Sequence, residues 1–259
     1  MKNGFYIDNT PLPLIKNKAF GFKHGFSTRE GGVSVGGGRD SLDLGAGEGE
    51  DVSENRKRFA RALGTSDEKL VFAKQIHSNK VVTVTAENYT DKFECDGFVT
   101  AEKGILLAVK TADCVPILLC DKENGVIGAL HAGWRGTVSG IALKGVEKMK
   151  ELGSDEKNVA VLIGPCIHSC CYEVDIPFVD AVKSSEYGAS LVSFIKEARK
   201  PEKFYASLTD MNKHLLKLSG IREENIYVSE LCTCCNRSML FSHRASQGKR
   251  GLMMAAAVM

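Results

Sequence analysis

The sequence predicts a single α+β domain in which mixed β-sheets are flanked by helices. Three short apolar segments, 105–109, 115–120 and 125–130, follow one another closely. Because they lack a polar face, they indicate strands in the middle of a covered sheet. The polar turn at 121–125 predicts that the last two strands form an antiparallel hairpin. Helical patterns alternate with strands elsewhere, and this mixture disfavours a purely parallel, doubly wound sheet.

The first half of the chain contains one predicted helix, at 51–63. Val52 and Phe59 lie there at helical spacing, and a glycine follows the end. Before this helix, the glycines between residues 31 and 49 predict a long loop of the kind that often covers an active site. A strand is predicted at 81–84, ahead of the three apolar strands.

The second half begins with the clearest helix, at 137–152, whose apolar residues follow one face. A strand at 159–163 stops at a Gly-Pro pair. Another helix is predicted at 175–187, because Asp175 can cap it and a proline occupies its first turn. A last helix is predicted at 209–218. The remaining predicted strands are 226–229, 239–242 and 252–258.

Length and charge exclude several classes of protein. The chain has 259 residues and a net charge of +2, which is too small to indicate binding to nucleic acid or to a membrane surface. No apolar run approaches the roughly 20 residues needed to cross a bilayer. The first residues do not resemble a secretion signal. We therefore expect a cytoplasmic protein without a nucleic-acid or membrane partner; the sequence leaves its oligomeric state open.

Cysteine is unusually frequent. Nine cysteines, an odd number, argue against a fully paired disulfide framework, so reduced thiols are expected. Two tight groups stand out, Cys166, Cys170 and Cys171 in one segment and Cys232, Cys234 and Cys235 in another. Read as C-x₃-C-C and C-x-C-C, these groups do not match the two-residue gap of a zinc knuckle, which disfavours a structural zinc site. Free thiols near a pocket are the simpler interpretation.

Three residues suggest a metal or nucleophile site. If the hairpin forms, Cys114 at the start of one strand and His131 at the end of the next lie side by side. His77 precedes a strand, and the pattern does not place it. Two imidazoles and a thiolate suit zinc, and three ligands leave a fourth position for water or substrate. Taken singly, a cysteine or histidine of this kind is more often an ordinary core residue than a functional one.

An anion site is predicted beside these residues. Arg135 and Gly136 immediately precede the helix predicted from Thr137, and a helix start with an arginine suits phosphate. Trp134 either lies in the core or walls a planar ligand. The segment Ser27-Thr28-Arg29 is a second possible anion cradle, and His243-Arg244 would bring a further cation.

These motifs closely resemble one family. It is known as the multicopper polyphenol oxidase or laccase-domain family, the bacterial purine nucleoside phosphorylase family and the peptidoglycan editing factor family. The run His-Ala-Gly-Trp-Arg-Gly at 131–136 is its most specific match. The other matching segments are 24–34, 75–77, 111–116, 163–167, 171–174 and 241–244. They occur in family order across nearly the whole chain, although His243 departs from the Tyr or Arg common in the family.

The resemblance implies one domain over 1–259, similar in fold to a cysteine-dependent deamidase toxin. It implies a zinc ion bound by His77, Cys114 and His131. The implied activity is phosphorolysis of adenosine, inosine, guanosine and methylthioadenosine, with hydrolytic deamination of adenosine. Purine nucleosides and inorganic phosphate would be the substrates. Arg135, Arg244 and the Ser27-Thr28-Arg29 segment would hold the phosphate or substrate; the proton-transfer residue is not indicated.

Three alternatives remain at this point. A metal-independent cysteine hydrolase or amidase would use Cys114 as nucleophile and His131 as base. A copper oxidase would use the same three ligands, although six histidines are too few for a full laccase cluster. A protein that edits or binds cell-wall precursors would not need the cluster for catalysis.

Overall fold

The elements below come from a computed structural model that describes residues 3–45, 47 and 49–259. The strands in these ranges are β1 (Phe5–Asp8), β2 (Leu14–Asn17), β3 (Lys23–Ser27), β4 (Leu70–Val71), β5 (Val81–Thr83), β6 (Gly97–Thr100), β7 (Leu106–Thr111), β8 (Val115–Asp121), β9 (Val126–Ala132), β10 (Val159–Ile163), β11 (Glu173–Asp175), β12 (Ile195–Glu197), β13 (Lys203–Ala206), β14 (Ile226–Val228) and β15 (Met253–Val258). The α-helices are α1 (Glu50–Ala62), α2 (Trp134–Val138), α3 (Ile141–Glu151), α4 (Ile176–Lys183), α5 (Gly188–Leu191), α6 (Leu208–Leu218) and α7 (His243–Ser246).

Two six-stranded mixed sheets form the centre of the protein. The first has the strand order β1-β2-β3-β15-β7-β4, and the second has the order β14-β10-β8-β9-β6-β5. A smaller three-stranded sheet, β11-β13-β12, adjoins the helices. Most neighbouring strands are antiparallel, but β4–β7, β5–β6 and β10–β14 are parallel. The predicted class, α+β with mixed sheets and flanking helices in one domain, is confirmed.

The core is divided into three layers. Residues from the facing sides of the two large sheets, such as Val109 and Leu118, share one apolar layer. The outer face of the second sheet packs on α3 and α6 through residues that include Leu130 and Met149. The outer face of the first sheet is covered by α1, with Phe59 fully buried. Because β7, β8 and β9 are covered on both sides, they carry the continuous apolar runs seen in the sequence.

One predicted helix is divided in the structure. The helix expected at 137–152 is two helices, α2 and α3, and the first begins at Trp134 instead of Thr137. Gly140, with φ +81°, lies between them in a left-handed conformation that glycine adopts without strain. A Cβ at this position would lie 2.8 Å from a ring carbon of Tyr187. The break turns α2 into a short separate helix that follows directly on β9.

A predicted strand at 239–242 is wrong. Met239 and Leu240 belong to a turn that begins at Asn236, and Phe241 packs into the layer between the sheets. Ser242 caps α7 by accepting a hydrogen bond from the Ala245 N–H. The apolar residues in this segment therefore reflect burial of their side chains and not strand formation. Conversely, β1, β2, β3 and β6 were not predicted, because they are short and each contains at least one aspartate, lysine, asparagine, histidine or glycine.

The glycine-rich loop before α1 is held by a buried amide. The Asn55 side chain accepts a hydrogen bond from the Val33 N–H over 2.9 Å and donates to Ser34 Oγ over 3.0 Å. Gly38 lines the same pocket as Arg29. Residues 46 and 48 of the loop lie outside the described residues. The longest helix in the described ranges, α1, has 13 residues, and none of the helices there meets the length and hydropathy required to cross a bilayer.

Candidate active site

The hairpin of β8 and β9 brings a thiol and an imidazole together, as its sequence pattern predicts. Val115 pairs with Ala132 and Pro116 pairs with His131, so Cys114 lies beside the end of β9. The ligand atoms of Cys114, His131 and His77 all lie within 4.8 Å of one another. His131 is buried, Cys114 is partly buried and His77 is exposed, which places the cluster at the surface end of the hairpin.

His77 is placed by the loop between β4 and β5. The Gln75 side chain donates to the Lys110 carbonyl over 2.8 Å and accepts from the Lys110 N–H over 2.7 Å, which ties the loop to β7. His77 itself has φ +57°, a left-handed conformation that is uncommon outside glycine. Its ring lies edge-on to the His131 ring, with 5.0 Å between centroids. The Gln-Ile-His motif therefore acts as an anchored turn that aims one imidazole at the hairpin.

Asp96 connects both histidines, and the sequence analysis did not identify it. His131 Nδ1 donates a hydrogen bond to Asp96 Oδ1 over 2.8 Å, and the His77 N–H donates to the same oxygen over 3.0 Å. Ser78 adds its N–H and hydroxyl to Oδ2, over 2.7 and 2.8 Å. Because Nδ1 of His131 is occupied, Nε2 is the ring nitrogen available to a ligand or to Cys114. No periodic or spacing signal marks this residue, which precedes a short glycine-initiated strand.

The electrostatics of the cluster favour an ionised pair. Burial alone would raise the pKa of the Cys114 thiol, but hydrogen bonds from His131 and His77 outweigh it and lower this pKa to about 6. Burial would likewise lower the pKa of His131, yet its bonds to Asp96 and Cys114 raise it to about 9. Burial would raise the pKa of the Asp96 carboxyl, but hydrogen bonds from His131 and Ser78 outweigh burial and lower this pKa to about 2. The site thus stabilises a thiolate, the form that binds metals and attacks electrophiles.

A glycine keeps one side of the cluster open. Gly133 caps α2, and a Cβ there would lie 3.0 Å from His77 Cδ2. The same Cβ would lie 3.4 Å from Cys114 Sγ and from His131 Cε1. The two imidazoles and the thiolate converge beneath a residue that has no side chain. This arrangement fits a metal ion with three protein ligands and an open position.

A pocket of about 330 Å³ lies against the next residues of this turn. It is lined by Trp134, Arg135, Tyr172, Glu173, Val174, Asp175, Pro177, Phe178, Lys203 and Arg244. The Phe178 ring contacts Trp134 and Tyr172, with centroids 5.5 and 6.0 Å apart, and the three form an aromatic wall. Burial, followed by the charge of Cys114, raises the pKa of Tyr172, which links this wall electrostatically to the cluster. The pocket is large enough for a small ligand.

Two arginines of the pocket are held differently. The Arg135 guanidinium lies over the Trp134 ring, 4.2 Å from its centroid, and the side chain is exposed. Arg244 donates to the carbonyls of Cys171 and Glu173 over 3.1 and 3.0 Å. Lys203 adds a third cation to the lining. The predicted neighbours Arg135 and Arg244 are therefore brought together in one pocket.

Asp113, the residue before Cys114, holds the backbone of Arg244. Its carboxylate accepts the Arg244 N–H over 2.7 Å and the Thr233 hydroxyl over 2.6 Å. The residue has φ +98°, so the chain turns sharply just before Cys114. Asp113, next to Cys114 in the chain, therefore has a structural role.

The structure does not bring Ser27, Thr28 and Arg29 to this pocket. Ser27 Oγ accepts the Met254 N–H over 3.0 Å, and Thr28 Oγ1 donates to the Pro13 carbonyl over 3.2 Å. Both side chains are buried. Arg29 donates to the carbonyls of Asp40 and Arg237, both over 2.9 Å, and lines a separate pocket of about 440 Å³. His243, next to Arg244 in the chain, does not line the pocket beside the cluster.

A larger cavity, of about 760 Å³, contains none of the cluster residues. It is lined by β2, β3, the end of α1 and the chain terminus at Met259. Volume alone would favour this cavity as a binding site. We assign the chemistry to the smaller pocket, because Trp134 and Arg135 in its lining directly follow the Gly133 turn over the cluster, and the charge of Cys114 acts on its Tyr172.

The chain is similar in sequence to several known proteins. Residues 23–259 match the family described as multi-copper polyphenol oxidoreductase laccase. The chain is 37% identical over 243 residues to the purine nucleoside phosphorylase YlmD of Bacillus subtilis, covering 89% of this chain and 86% of that protein. It is 36% identical over 245 residues to a purine nucleoside phosphorylase of Deinococcus radiodurans, covering 94% and 92% of the two chains.

The fold is also shared with a solved structure. The hypothetical protein YfiH of Bacillus licheniformis superposes with a TM-score of 0.89 at 33% identity, covering 99% of both chains. The sequence match and the superposition both extend over the hairpin, the anchored turn and the pocket. The chain therefore belongs to the multi-copper polyphenol oxidoreductase laccase family, whose relatives of this length include enzymes named purine nucleoside phosphorylases.

Proposed function

We propose that the protein is a zinc-dependent purine nucleoside phosphorylase that also deaminates adenosine. One observation carries the proposal: the His77-Cys114-His131 cluster opens beside a pocket that combines an aromatic wall with three cations. A nucleoside and phosphate need such a combination, because one presents a flat apolar base and the other a compact anion. The names of the two bacterial relatives support the same activity.

Phosphate binding is assigned to Arg135, with Arg244 and Lys203 beside it. An arginine presents a planar fork of donors that matches two phosphate oxygens, and a lysine adds a compact charge. Arg244 already donates to two carbonyls, so its remaining donors and its charge contribute. Arg135 makes a cation–π contact with Trp134 and is free to reach the anion in the pocket.

The base is assigned to the aromatic wall of Trp134, Tyr172 and Phe178. Stacking places the ribose toward the cations, where a phosphate oxygen forms a bond to C1′ as the bond from C1′ to the base breaks. The electron pair leaves with the purine, which then takes up a proton, and ribose 1-phosphate remains. The Tyr172 hydroxyl is protonated at neutral pH, as tyrosine hydroxyls ordinarily are, so it can donate a hydrogen bond to the departing base.

His77, Cys114 and His131 would hold the zinc ion, with Asp96 orienting the two histidines. When bound there, zinc supplies positive charge that stabilises the negative charge developing in the transition state. Copper can use the same ligand set, and the metal content of purified protein distinguishes the two. In the proposed deamination, water adds at C6 of adenosine and ammonia leaves.

The deciding experiment uses protein of verified metal content and inosine, with and without inorganic phosphate. We expect hypoxanthine and ribose 1-phosphate in equal amounts, and only when phosphate is present. Release of free ribose without phosphate, or no release at all, would refute the phosphorylase assignment. Adenosine without phosphate tests deamination, because inosine and ammonia should appear in equal amounts. A Cys114→Ser variant is the matched control for both reactions.

A second candidate function is a metal-independent cysteine hydrolase or amidase. Cys114, His131 and Asp96 form a chain of nucleophile, base and orienting carboxylate, with the last two 2.8 Å apart. This reading predicts that iodoacetamide abolishes the activity and that chelators leave it intact. Phosphorylase activity that is lost on chelation and restored by zinc would exclude it for this reaction.

A further inference from the structure

Four cysteine sulfurs form a second cluster in the described part of the chain. The Sγ atoms of Cys170, Cys171, Cys232 and Cys235 all lie within 4.8 Å of one another. Cys171 and Cys235 are 3.4 Å apart, Cys170 and Cys235 are 3.7 Å apart, and Cys170 and Cys171 are 3.8 Å apart. Neither the metal assignment nor the mechanism proposed above uses these residues.

Backbone hydrogen bonds join the two segments that carry these thiols. Cys170 and Cys171 follow β10, whereas Cys232 and Cys235 follow β14. The Thr233 N–H donates to the Cys166 carbonyl over 2.9 Å, next to the bridge between Cys166 and Cys232. The fold therefore brings the four sulfurs together through its own strand pairing, and chance proximity of mobile side chains does not explain it.

The sulfur of Cys232 is already prepared as an acceptor. The His168 N–H points at Cys232 Sγ over 3.4 Å, and the Cys235 N–H also bonds to this sulfur. Cys232 and Cys235 are separated by two residues, which is the gap of a zinc knuckle. In the sequence this gap is hidden by Cys234, which lies within it and suggests a group of three cysteines. The structure leaves Cys234 outside the four converging sulfurs.

We propose that Cys170, Cys171, Cys232 and Cys235 bind a second zinc ion in a closed, four-thiolate structural site. Zinc–sulfur bonds of about 2.3 Å in a tetrahedron place the sulfurs roughly 3.8 Å apart, close to the separations found here. One disulfide would join only two of the sulfurs, at about 2.05 Å, and would leave the other two unexplained. Four protein ligands also leave no open position, so this site does not perform catalysis.

The site supports the wall of the pocket. Arg244 donates to the carbonyl of Cys171, which is one of the proposed ligands, and Tyr172 follows in the chain. Asp113 bonds to Thr233, which lies between the other two ligands. The second ion would thus fix the backbone groups that hold Arg244, while His77, Cys114 and His131 stand apart from it. The proposal does not depend on the function assigned to the other cluster.

The test is metal content measured by mass spectrometry after purification in a reducing, zinc-supplemented buffer. We expect two zinc equivalents for the wild type. Cys170→Ser and Cys235→Ser should each lose one equivalent, because each change removes one of the four proposed ligands. Both side chains are exposed and the changes are small, so the fold should be retained. Cys114→Ser should lose the other equivalent. Cys234→Ser is the matched control and should keep both.

Alkylation of thiols gives an independent measurement on the wild-type protein. Cys170 and Cys235 are exposed and should react quickly with iodoacetamide as free thiols. Zinc should protect them, and a chelator should remove the protection, which peptide mapping detects. The proposal is overturned if the wild type holds one equivalent or fewer while these thiols react without a chelator. It is equally overturned if peptide mapping finds a disulfide among the four cysteines in reduced preparations.

Discussion

Nδ1 of His131 donates a hydrogen bond to Oδ1 of Asp96 over 2.8 Å, and both side chains are buried. This single bond decides which imidazole nitrogen faces Cys114. It also couples the end of β9 to the turn that carries His77, because Asp96 accepts the backbone N–H of His77. The geometry of the three-residue cluster therefore depends on a carboxylate that is not itself one of its ligands.

Asp96→Asn should weaken metal binding while leaving the three ligands in place. The amide keeps one oxygen, but its NH₂ group opposes the N–H and hydroxyl donors of Ser78. We expect a loss of about 10- to 100-fold in zinc affinity, measured by competition with a chromogenic chelator. Asp91→Asn, on the exposed part of the same loop, is the control and should retain wild-type affinity.

Gly133→Ala should close the open side of the cluster. The backbone there has φ −63°, so alanine is tolerated, but its Cβ would lie 3.0 Å from His77 Cδ2. Nucleoside turnover should fall at least about tenfold, with an unchanged melting temperature, because the reacting atoms lose their access. Gly47→Ala is the control, since its Cβ meets only Val52, at 3.7 Å. Full activity of the Gly133 variant would contradict the assignment of the open side.

Arg135→Ala should raise the KM for phosphate more than the KM for nucleoside. A hydrogen bond to a charged group contributes about 1.5–3 kcal/mol, which corresponds to roughly 10- to 150-fold in kcat/KM. Steady-state kinetics with each substrate varied in turn separate the two effects. Arg237→Ala removes an exposed cation from the separate pocket that Arg29 lines, and it should change neither the KM for phosphate nor the KM for nucleoside. An equal effect of both changes would indicate general electrostatics instead of a phosphate site.

Stability should fall in mild acid because of His24. Burial, with nearby Lys16, lowers the pKa of His24 from 6.5 to about 4, and its ring accepts the Asn17 N–H while donating to the Phe22 carbonyl. Above pH 6.5 the ring is neutral in both states. Between pH 6.5 and about 4 only the unfolded state gains the proton, so stability decreases as the pH falls and then levels off.

The expected loss across this window is about 3 kcal/mol in the free energy of unfolding, measured by denaturant titration at several pH values. His24→Gln is the matched variant, because an amide can replace both hydrogen bonds without titrating. The difference in stability between the two proteins should therefore vary with pH in this window. A constant difference from pH 7 to pH 4 would show that His24 does not contribute.

Local patterns predicted those parts of the site that depend on neighbours in the chain. The hairpin follows from two apolar runs and a polar turn, so Cys114 and His131 could be placed side by side without coordinates. The position of Arg135 near a helix start could also be seen, although the helix begins at Trp134 and is interrupted at Gly140. Such features depend on strand pairing and backbone conformation over a few residues.

The remaining parts of the site depend on contacts between residues that are distant in the chain. His77 reaches the cluster because Gln75 is tied to Lys110, 35 residues further along the chain, and Asp96 joins His131 across another 35. Arg29 resembles a phosphate ligand in sequence, yet its donors are used by two backbone carbonyls.

The α+β class, the central hairpin and the residue types capable of metal and anion chemistry could be predicted from the amino-acid order, because periodicity and turn composition are local properties. Which side chains share a site depends on contacts that form only in the folded chain. Hydrogen bonds between distant segments, such as those of Asp96 and Asp113, leave no periodic trace in the chain. The four converging sulfurs of Cys170, Cys171, Cys232 and Cys235 likewise come together only when β10 and β14 pair.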